Sequence, residues 1–443
     1  MCGWVAWRNA MKLPSVMAIG AAGMLAAVAC AQPCGVMQDL GLLPGGAAAW
    51  AAGVSADGAV VVGMSESADG ERAFRWTADG GMQNLGVLPG AEESFATGVS
   101  DDGRVVMGFS GDRVFRWTAA AGMQALPPFP ESTYNYPTAI SADGQVMIGF
   151  AGVRGDARPF RWTESGGIQG FGEFADGTSV YVYGVSGDGS VVVGFMLSLV
   201  TPAVNTQALR WTADGGTEEL AALNGGELSI AWGVSDDGED VVGVGSILGQ
   251  DRAVRWNASG EVRNLGTALG LPQAYALGAS GDGSVIVGYG SYSSSADPTN
   301  RAFYWTEAGG LRTIAGFAGS ATSYAADVSS DGTVIVGSSS GSGFAGRAFR
   351  FVRCADPVPC VVDIANTDGL TAISGGGADG RIDNGDFQAF FAAFFLGEAD
   401  ASRLVADIAN TDGQTLIDGG GPDGVIDNGD FFAFFDVFFG GCR

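Results

Sequence analysis

The 443-residue chain contains no histidine. Without an imidazole there is no Ser-His-Asp or Cys-His catalytic pair, no His-ligated zinc and no imidazole general base. Lysine is almost as scarce, with Lys12 the one example, and basic residues number 22 against 48 acidic ones for a net charge of −26. A surface of that sign repels nucleic acid and anionic membrane. It favours divalent cations or basic partners, and it keeps an exported protein in solution. What the chain has in abundance is glycine, at 74 residues. Such a composition suits many short strands joined by tight turns rather than helical bundles.

The N-terminus reads as an export signal over residues 1–31. Arg8 and Lys12 form its positive region, residues 13–29 are uncharged and apolar, and Ala29-Cys30-Ala31 offers a small-x-small cleavage site before Gln32. A spanning helix needs about 20 apolar residues, so the segment is slightly short for an anchor and no transmembrane helix is expected in the mature chain. Cleavage before Cys30, as in a lipoprotein, would put the weak residue Ala27 three positions upstream of the acceptor. Export removes two cations and no carboxylate, which takes the net charge from −26 to −28. Cys34, Cys354, Cys360 and Cys442 remain, an even number in an oxidising compartment where disulfides are the default.

A self-similar unit of 41 to 49 residues then runs through residues 32–353, a period typical of propellers and solenoids. Each copy has a Ser-x-Asp-Gly turn at Asp57, Asp102, Asp143, Asp188, Asp237, Asp282 or Asp331. An apolar run ending in glycine follows, such as Val60-Val61-Val62-Gly63, and then a segment such as Arg72-Ala73-Phe74-Arg75-Trp76-Thr77. The fourth element resembles Gly81-Met82-Gln83-Asn84-Leu85. These read as four strands, because Asp-Gly between apolar runs is a hairpin signal and triple-valine runs need cover on both faces of the pleat. The first copy of the fourth element, residues 36–43, precedes the first turn, and the seventh unit ends at Phe351-Val352 without one. A closed ring explains the displacement, with the N-terminal strand completing the last blade and no sheet edge left open. The expected fold is a seven-bladed β-propeller of four-stranded blades. Cys34 and Cys354 both align with Asp79, in the turn before the fourth strand, so a Cys34–Cys354 disulfide would replace the missing peptide connection.

With Arg72-Ala73-Phe74, Arg301-Ala302-Phe303, Val54-Ser55-Ala56-Asp57-Gly58 and Gly81-Met82, the unit resembles the bacterial extracellular repeat family named for a His-Ala-Phe signature. The chain departs from it in lacking that histidine throughout. The resemblance implies export and a repeat fold, and no reaction.

Within the repeats, the Ser-x-Asp-Gly carboxylates read as turn residues, since a lone Asp per copy makes a poor calcium site. Arg75 and its equivalents are expected to pair with them, and the recurring tryptophans to pack between blades. Four residues before each Val-Ser step stand Trp50, Phe95, Tyr136, Tyr181, Ile230, Tyr275 and Tyr324, where the chain crosses from an outer strand to the next inner one. Six of the seven are aromatic, and they are candidate ligand-face residues for stacking on sugar or extended peptide. The longer inserts at 195–207 and 289–300 are expected on the same face. The competing reading is interblade packing, with Trp50, Ala52 and Val54 sharing one strand face by alternation.

After a linker at 354–362 a second repeat begins and fills residues 363–443. Asp363, Asn366 and Asp368 recur as Asp407, Asn410 and Asp412, and Asp379, Asp383 and Asp386 recur as Asp423, Asp427 and Asp430. Each copy runs into phenylalanines at i, i+3, i+4, i+7 and i+8, one face of a helix: Phe387 to Phe395 and Phe431 to Phe439. An acidic loop feeding a helix suits Ca²⁺, which takes six to eight oxygens, if residues 370–378 bulge out as an insertion. Otherwise these are solvated acidic turns. Duplicated loop-helix units ending in Gly441-Cys442 resemble GC-type dockerin modules. That resemblance implies calcium-dependent folding and docking to a cohesin-like protein or a cell-surface anchor. A Cys360–Cys442 disulfide would tether the module's ends.

The functional expectation is a secreted, non-catalytic binding or scaffold propeller displayed through this tail. The alternative is a histidine-free propeller glycosidase or lyase working on polysaccharide with paired carboxylates. A third reading is an envelope component without a soluble ligand.

Overall fold

The computed structural model describes residues 35–198, 205–224, 226, 228–267, 271–291, 300–341 and 344–354. Residues 1–31, Cys34, Cys360, Cys442 and the acidic tail lie outside them, and with the tail all twelve expected calcium ligands. Among the described residues every regular element is a strand, and the strands fall into consecutive groups of four. The first group, Ala49–Val54, Val60–Ser67, Gly70–Thr77 and Gly81–Asn84, is an antiparallel meander whose first strand is innermost.

Hydrogen bonding sets five groups apart as separate four-stranded sheets. The remaining two, residues 178–219 and 228–264, form one eight-stranded sheet through a single parallel bridge, Thr206 to Leu228. Five separate four-stranded blades and one double-width sheet therefore stand where seven separate blades were expected. The reason is local. The third strand of the fourth group, Asn205–Thr212, starts far enough out along its hairpin to reach the beginning of the next inner strand, Leu228–Val234.

The N-terminal strand behaves as the displaced repeat element requires. Met37–Asp39 pairs antiparallel with Phe344–Val352, in the order first strand, last strand, then the two strands preceding it. The Gly35 amide donates to the Val352 carbonyl at 2.7 Å. Cys354 is disulfide-bonded, and Cys34, its expected partner, lies outside the described residues.

Each Ser-x-Asp-Gly turn is a small hydrogen-bonded knot. In the first, the Ser55 hydroxyl donates to Asp57 Oδ1 at 2.8 Å and accepts the Val60 amide, while Asp57 Oδ1 also accepts the Ala59 amide. The other six turns repeat the arrangement. The turn glycines have φ of 66 to 74°, which disfavours any side chain. They also sit against the neighbouring group, so that a Cβ on Gly58 would lie 2.3 Å from Val334 and one on Gly103 2.5 Å from Val60.

The core lies between groups. Val61, Val62, Phe74 and Phe115 are fully buried, and Trp76 and Trp117 nearly so. One cluster joins Val54, Phe74 and Trp76 of the first group to Val334 and Val336 of the last, and so packs across the seam of the ring. Trp117 likewise packs on Val60 and Val62 of the preceding group, as expected of the recurring tryptophans.

Candidate functional site

A central channel of about 220 Å³ is lined by all seven inner strands. What reaches it depends on a β-bulge that every inner strand carries at the same place. In the first, Ala51 pairs with Gly63 and Gly53 with Val62, leaving Ala52 unpaired between them. The equivalents are Thr97, Thr138, Tyr183, Trp232, Leu277 and Ala326, and all line the channel. A bulge turns an extra side chain off the pleat. The alternation placing Trp50, Ala52 and Val54 on one face is thereby broken: Trp50 is 37 % exposed, Ala52 lines the channel and Val54 is buried.

At the turn end of the channel the x residues of the seven turns form a backbone circle. Ala56 donates to Asp101, Asp101 to Ala142, Ala142 to Gly187, Gly187 to Asp236, Asp236 to Gly281 and Gly281 to Ser330, at 2.9 to 3.1 Å. The Asp331 amide returns to the Ala56 carbonyl at 3.4 Å. Asp101 and Asp236 project from this circle into the channel, where Asp327 joins them from the last inner strand. Asp236 accepts the Ser330 hydroxyl, and Asp327 accepts the amides of Val54 (3.0 Å) and Val328 (2.9 Å). Burial pushes Asp327 up to about 7, against those two amides, with Asp236 and Asp101 adding repulsion. Burial, then Asp236 and Asp102, raise Asp101 to about 6. By contrast, the Ala59 amide and the Ser55 hydroxyl hold Asp57 below the usual carboxylate range, as expected of a turn carboxylate.

Arg75 reaches the next turn through a backbone carbonyl rather than the expected carboxylate, while Asp331 and Asp57 do attract Arg350. Arg75 donates to the Gly103 carbonyl of the next turn at 3.1 Å, and Arg350 makes the same bond to Gly58 across the seam at 3.0 Å. The carbonyl is the nearer target because the turn folds its Asp back onto its own amides. Arg255 instead grips Asp240 through two bonds of 2.6 and 2.7 Å.

At the other end of the channel, the six aromatic crossover positions lie at or near the surface. Trp50 and Tyr136 are exposed, Tyr136 by 42 %, and Phe95, Tyr181, Tyr275 and Tyr324 are half-buried. The register sets each opposite the residue after the glycine that ends the apolar run: Phe109, Phe150, Phe195 and Tyr289 face Phe95, Tyr136, Tyr181 and Tyr275. That glycine is required, since a Cβ on Gly149 would lie 2.2 Å from the Tyr136 carbonyl oxygen. The rings form one continuous arc. Phe95 stacks on Phe109 at 4.8 Å, Phe109 meets Tyr136 at 5.2 Å, and Tyr136 stacks on Phe150 at 5.4 Å. Phe150 meets Tyr181 edge-on, Tyr181 stacks on Phe195, and Tyr183 lies between Phe195 and Trp232, bringing the arc into the channel. Burial raises the Tyr183 phenol to about 12, so it remains a donor at neutral pH.

A second aromatic set lies farther round. Tyr275 stacks on Tyr289, which meets Tyr324 edge-on. The Tyr275 hydroxyl donates to Asp251 at 2.7 Å, and Asn300 donates to Tyr324. Sequence reasoning found the crossover rings but missed their partners, the bulge residues Tyr183 and Trp232, and Asp101, Asp236 and Asp327. The Gly-aromatic step of Gly108-Phe109, Gly149-Phe150, Gly194-Phe195 and Gly288-Tyr289 was the available signal for the partners. Of the two long inserts, the described ends 195–198 and 205–207 continue the hairpin beside this face.

Among the described residues no helix is long and apolar enough to cross a membrane, and no group of three His, Cys, Asp or Glu is placed to hold a metal ion. No protein-family profile and no curated protein matches the chain. Its structure is similar to oligogalacturonate lyase from Vibrio parahaemolyticus, with a TM-score of 0.53 and 11 % identity over 71 % of this chain and 93 % of that one. An oligogalacturonate lyase in complex with manganese gives 0.50 and 14 %, over 72 % and 93 %. Virginiamycin B lyase from Staphylococcus aureus gives 0.47 and 16 %, over 72 % and 99 %. At such identities the likeness is one of fold: the chain is an all-β propeller built from four-stranded blades.

Proposed function

We propose that this is a secreted, non-catalytic binding propeller that takes its ligand on the crossover face and is displayed through a calcium-dependent, dockerin-like tail. The observation that carries the reading is the aromatic arc from Phe95 to Trp232, whose rings the fold does not itself require, since Ile230 and its partner Val244 stand at the same two positions in another repeat. Partly exposed, mutually braced rings give a large contact area at little loss of side-chain freedom. Two carboxylates on that face serve its shape. Asp156 holds Arg158 and the Gly177 amide, and Asp251 holds Ser246 and Tyr275. Those engagements leave Asp156 and Asp251 unavailable to the glycosidase or lyase alternative, which calls for a free acidic pair.

The double-width sheet counts as two blades in this reading, because each half is a complete four-strand meander and one bridge joins them. That gives seven blades, closed covalently by Cys34–Cys354. The tail, with Cys360–Cys442 and calcium on its two acidic loops, would dock to a cohesin-like protein or surface anchor.

The test is binding of the mature chain to glycan and peptide arrays, with Tyr136→Ala beside the wild type. Tyr136→Ala should weaken capture while leaving the unfolding midpoint nearly unchanged. A stability loss of about 3–5 kcal/mol, as for a buried aromatic, would make the arc a core and end the reading.

A further inference from the structure

Resting on that binding reading, we propose that the ligand of the aromatic arc is an extended basic peptide, and that Tyr134 with its acidic surroundings is where a ligand arginine or lysine seats. Tyr134 is 43 % exposed. It lies against the backbone of Gly152, where a Cβ would be 2.2 Å from its ring, and it meets Phe150 edge-on at 6.4 Å. One side of the ring is thus braced and the ring stays accessible, an arrangement that attracts a cation.

The charge around the arc has one sign to offer. Glu92 and Glu93 sit in the crossover leading to Phe95, and Asp112 in the adjoining hairpin; all three are exposed and make no ion pair among the described residues. The nearby arginines are already committed. Arg72 and Arg113 donate to the carbonyls of Glu92 and Pro89, and Arg158 pairs with Asp156 and Asp176. An anionic polysaccharide would meet repulsion here, and a neutral glycan would gain nothing from the carboxylates.

The chain also carries one cation–carboxylate pair beside this ring. Arg154 bridges Glu131 at 2.8 Å across the loop and hairpin that flank Tyr134, with both side chains largely exposed. Glu131 and Arg154 have φ of 58° and 55°, two of the three non-glycine residues in the left-handed region among those described. Such conformations persist where surrounding structure holds them. Arg154 stands in for a ligand cation, and a basic peptide would compete with it for Glu131.

Isothermal titration of the mature chain with an alternating Arg-Gly nonapeptide, cellohexaose and oligogalacturonate tests this. The peptide should bind, more weakly as salt rises. Tyr134→Ala should weaken it about fivefold, the effect of one cation–π contact. Glu92→Gln with Glu93→Gln should reduce both affinity and salt dependence, and Arg154→Ala should raise affinity by freeing Glu131. Unfolding midpoints check that each variant is folded. Peptide binding indifferent to Tyr134→Ala and Arg154→Ala would overturn the proposal as diffuse charge attraction. Preferential binding of cellohexaose, lost in Tyr136→Ala, would overturn it too and leave the binding reading standing. Failure of all three probes would overturn this proposal, while the array experiment alone decides the broader reading.

Discussion

Replacing Asp327 by alanine should change the sign of its effect on stability between pH 3.5 and pH 8.5. Six inner strands carry Gly or Ala at the equivalent place, Gly53, Gly98, Ala139, Gly184, Gly233 and Gly278, so a small residue fits there. Below about pH 4 the carboxyl keeps its proton in both states, and in the fold it accepts the Val54 and Val328 amides. Losing those bonds costs about 1–2 kcal/mol, and the variant is the less stable protein. Because the folded pKa, about 7, lies above the unfolded value of about 3.9, the unfolded chain releases its proton first as pH rises. Stability from this group is therefore fully present below about pH 4 and is lost as pH climbs through 7. Between pH 5 and pH 8.5 the wild type gives up as much as about 3 kcal/mol that the variant keeps, at about 1.36 kcal/mol per pH unit. At pH 8.5 Asp327→Ala should equal or exceed the wild type. Guanidinium unfolding at several pH values, followed by tryptophan fluorescence, gives the difference directly, and taking that difference cancels the opposite trend of turn carboxylates such as Asp57. A difference that stays flat with pH would refute the reasoning.

Three further outcomes are expected. Gly103→Ala combines a left-handed φ with a Cβ 2.5 Å from Val60, and should destabilise the ring by roughly 1–3 kcal/mol, whereas Ala at the open, exposed Gly249 should cost roughly 1 kcal/mol or less, both read from chemical denaturation. Non-reducing peptide mapping should find Cys34 joined to Cys354, and Cys34 joined to Cys360 or Cys442 would sink the covalent latch. Calorimetric titration of the mature chain with calcium should show about two sites, with Asp386→Ala and Asp430→Ala each removing one, because each carboxylate ends a loop where a hard cation and a helix N-terminus both favour it. No heat of binding would leave the tail as acidic turns.

The chain's own order of residues determined the four-strand unit, the Ser-x-Asp-Gly knots and closure by the N-terminal strand. Those features rest on contacts between near neighbours, such as Ser55 with Asp57, or on a count of repeats, and both are visible in one dimension. Period-two alternation then misplaced Ala52 and its equivalents, because a bulge adds one residue without leaving a residue type that announces it. The meeting of Asp101, Asp236 and Asp327 was likewise decided only in three dimensions. Two occupy the x place of a turn and the third a place where other strands carry Gly or Ala, so no motif marks them. The bridge from Thr206 to Leu228 and the arc from Phe95 to Trp232 have the same origin. Each joins side chains or strands of different groups, and curvature of the closed ring, not proximity along the chain, brings them within reach.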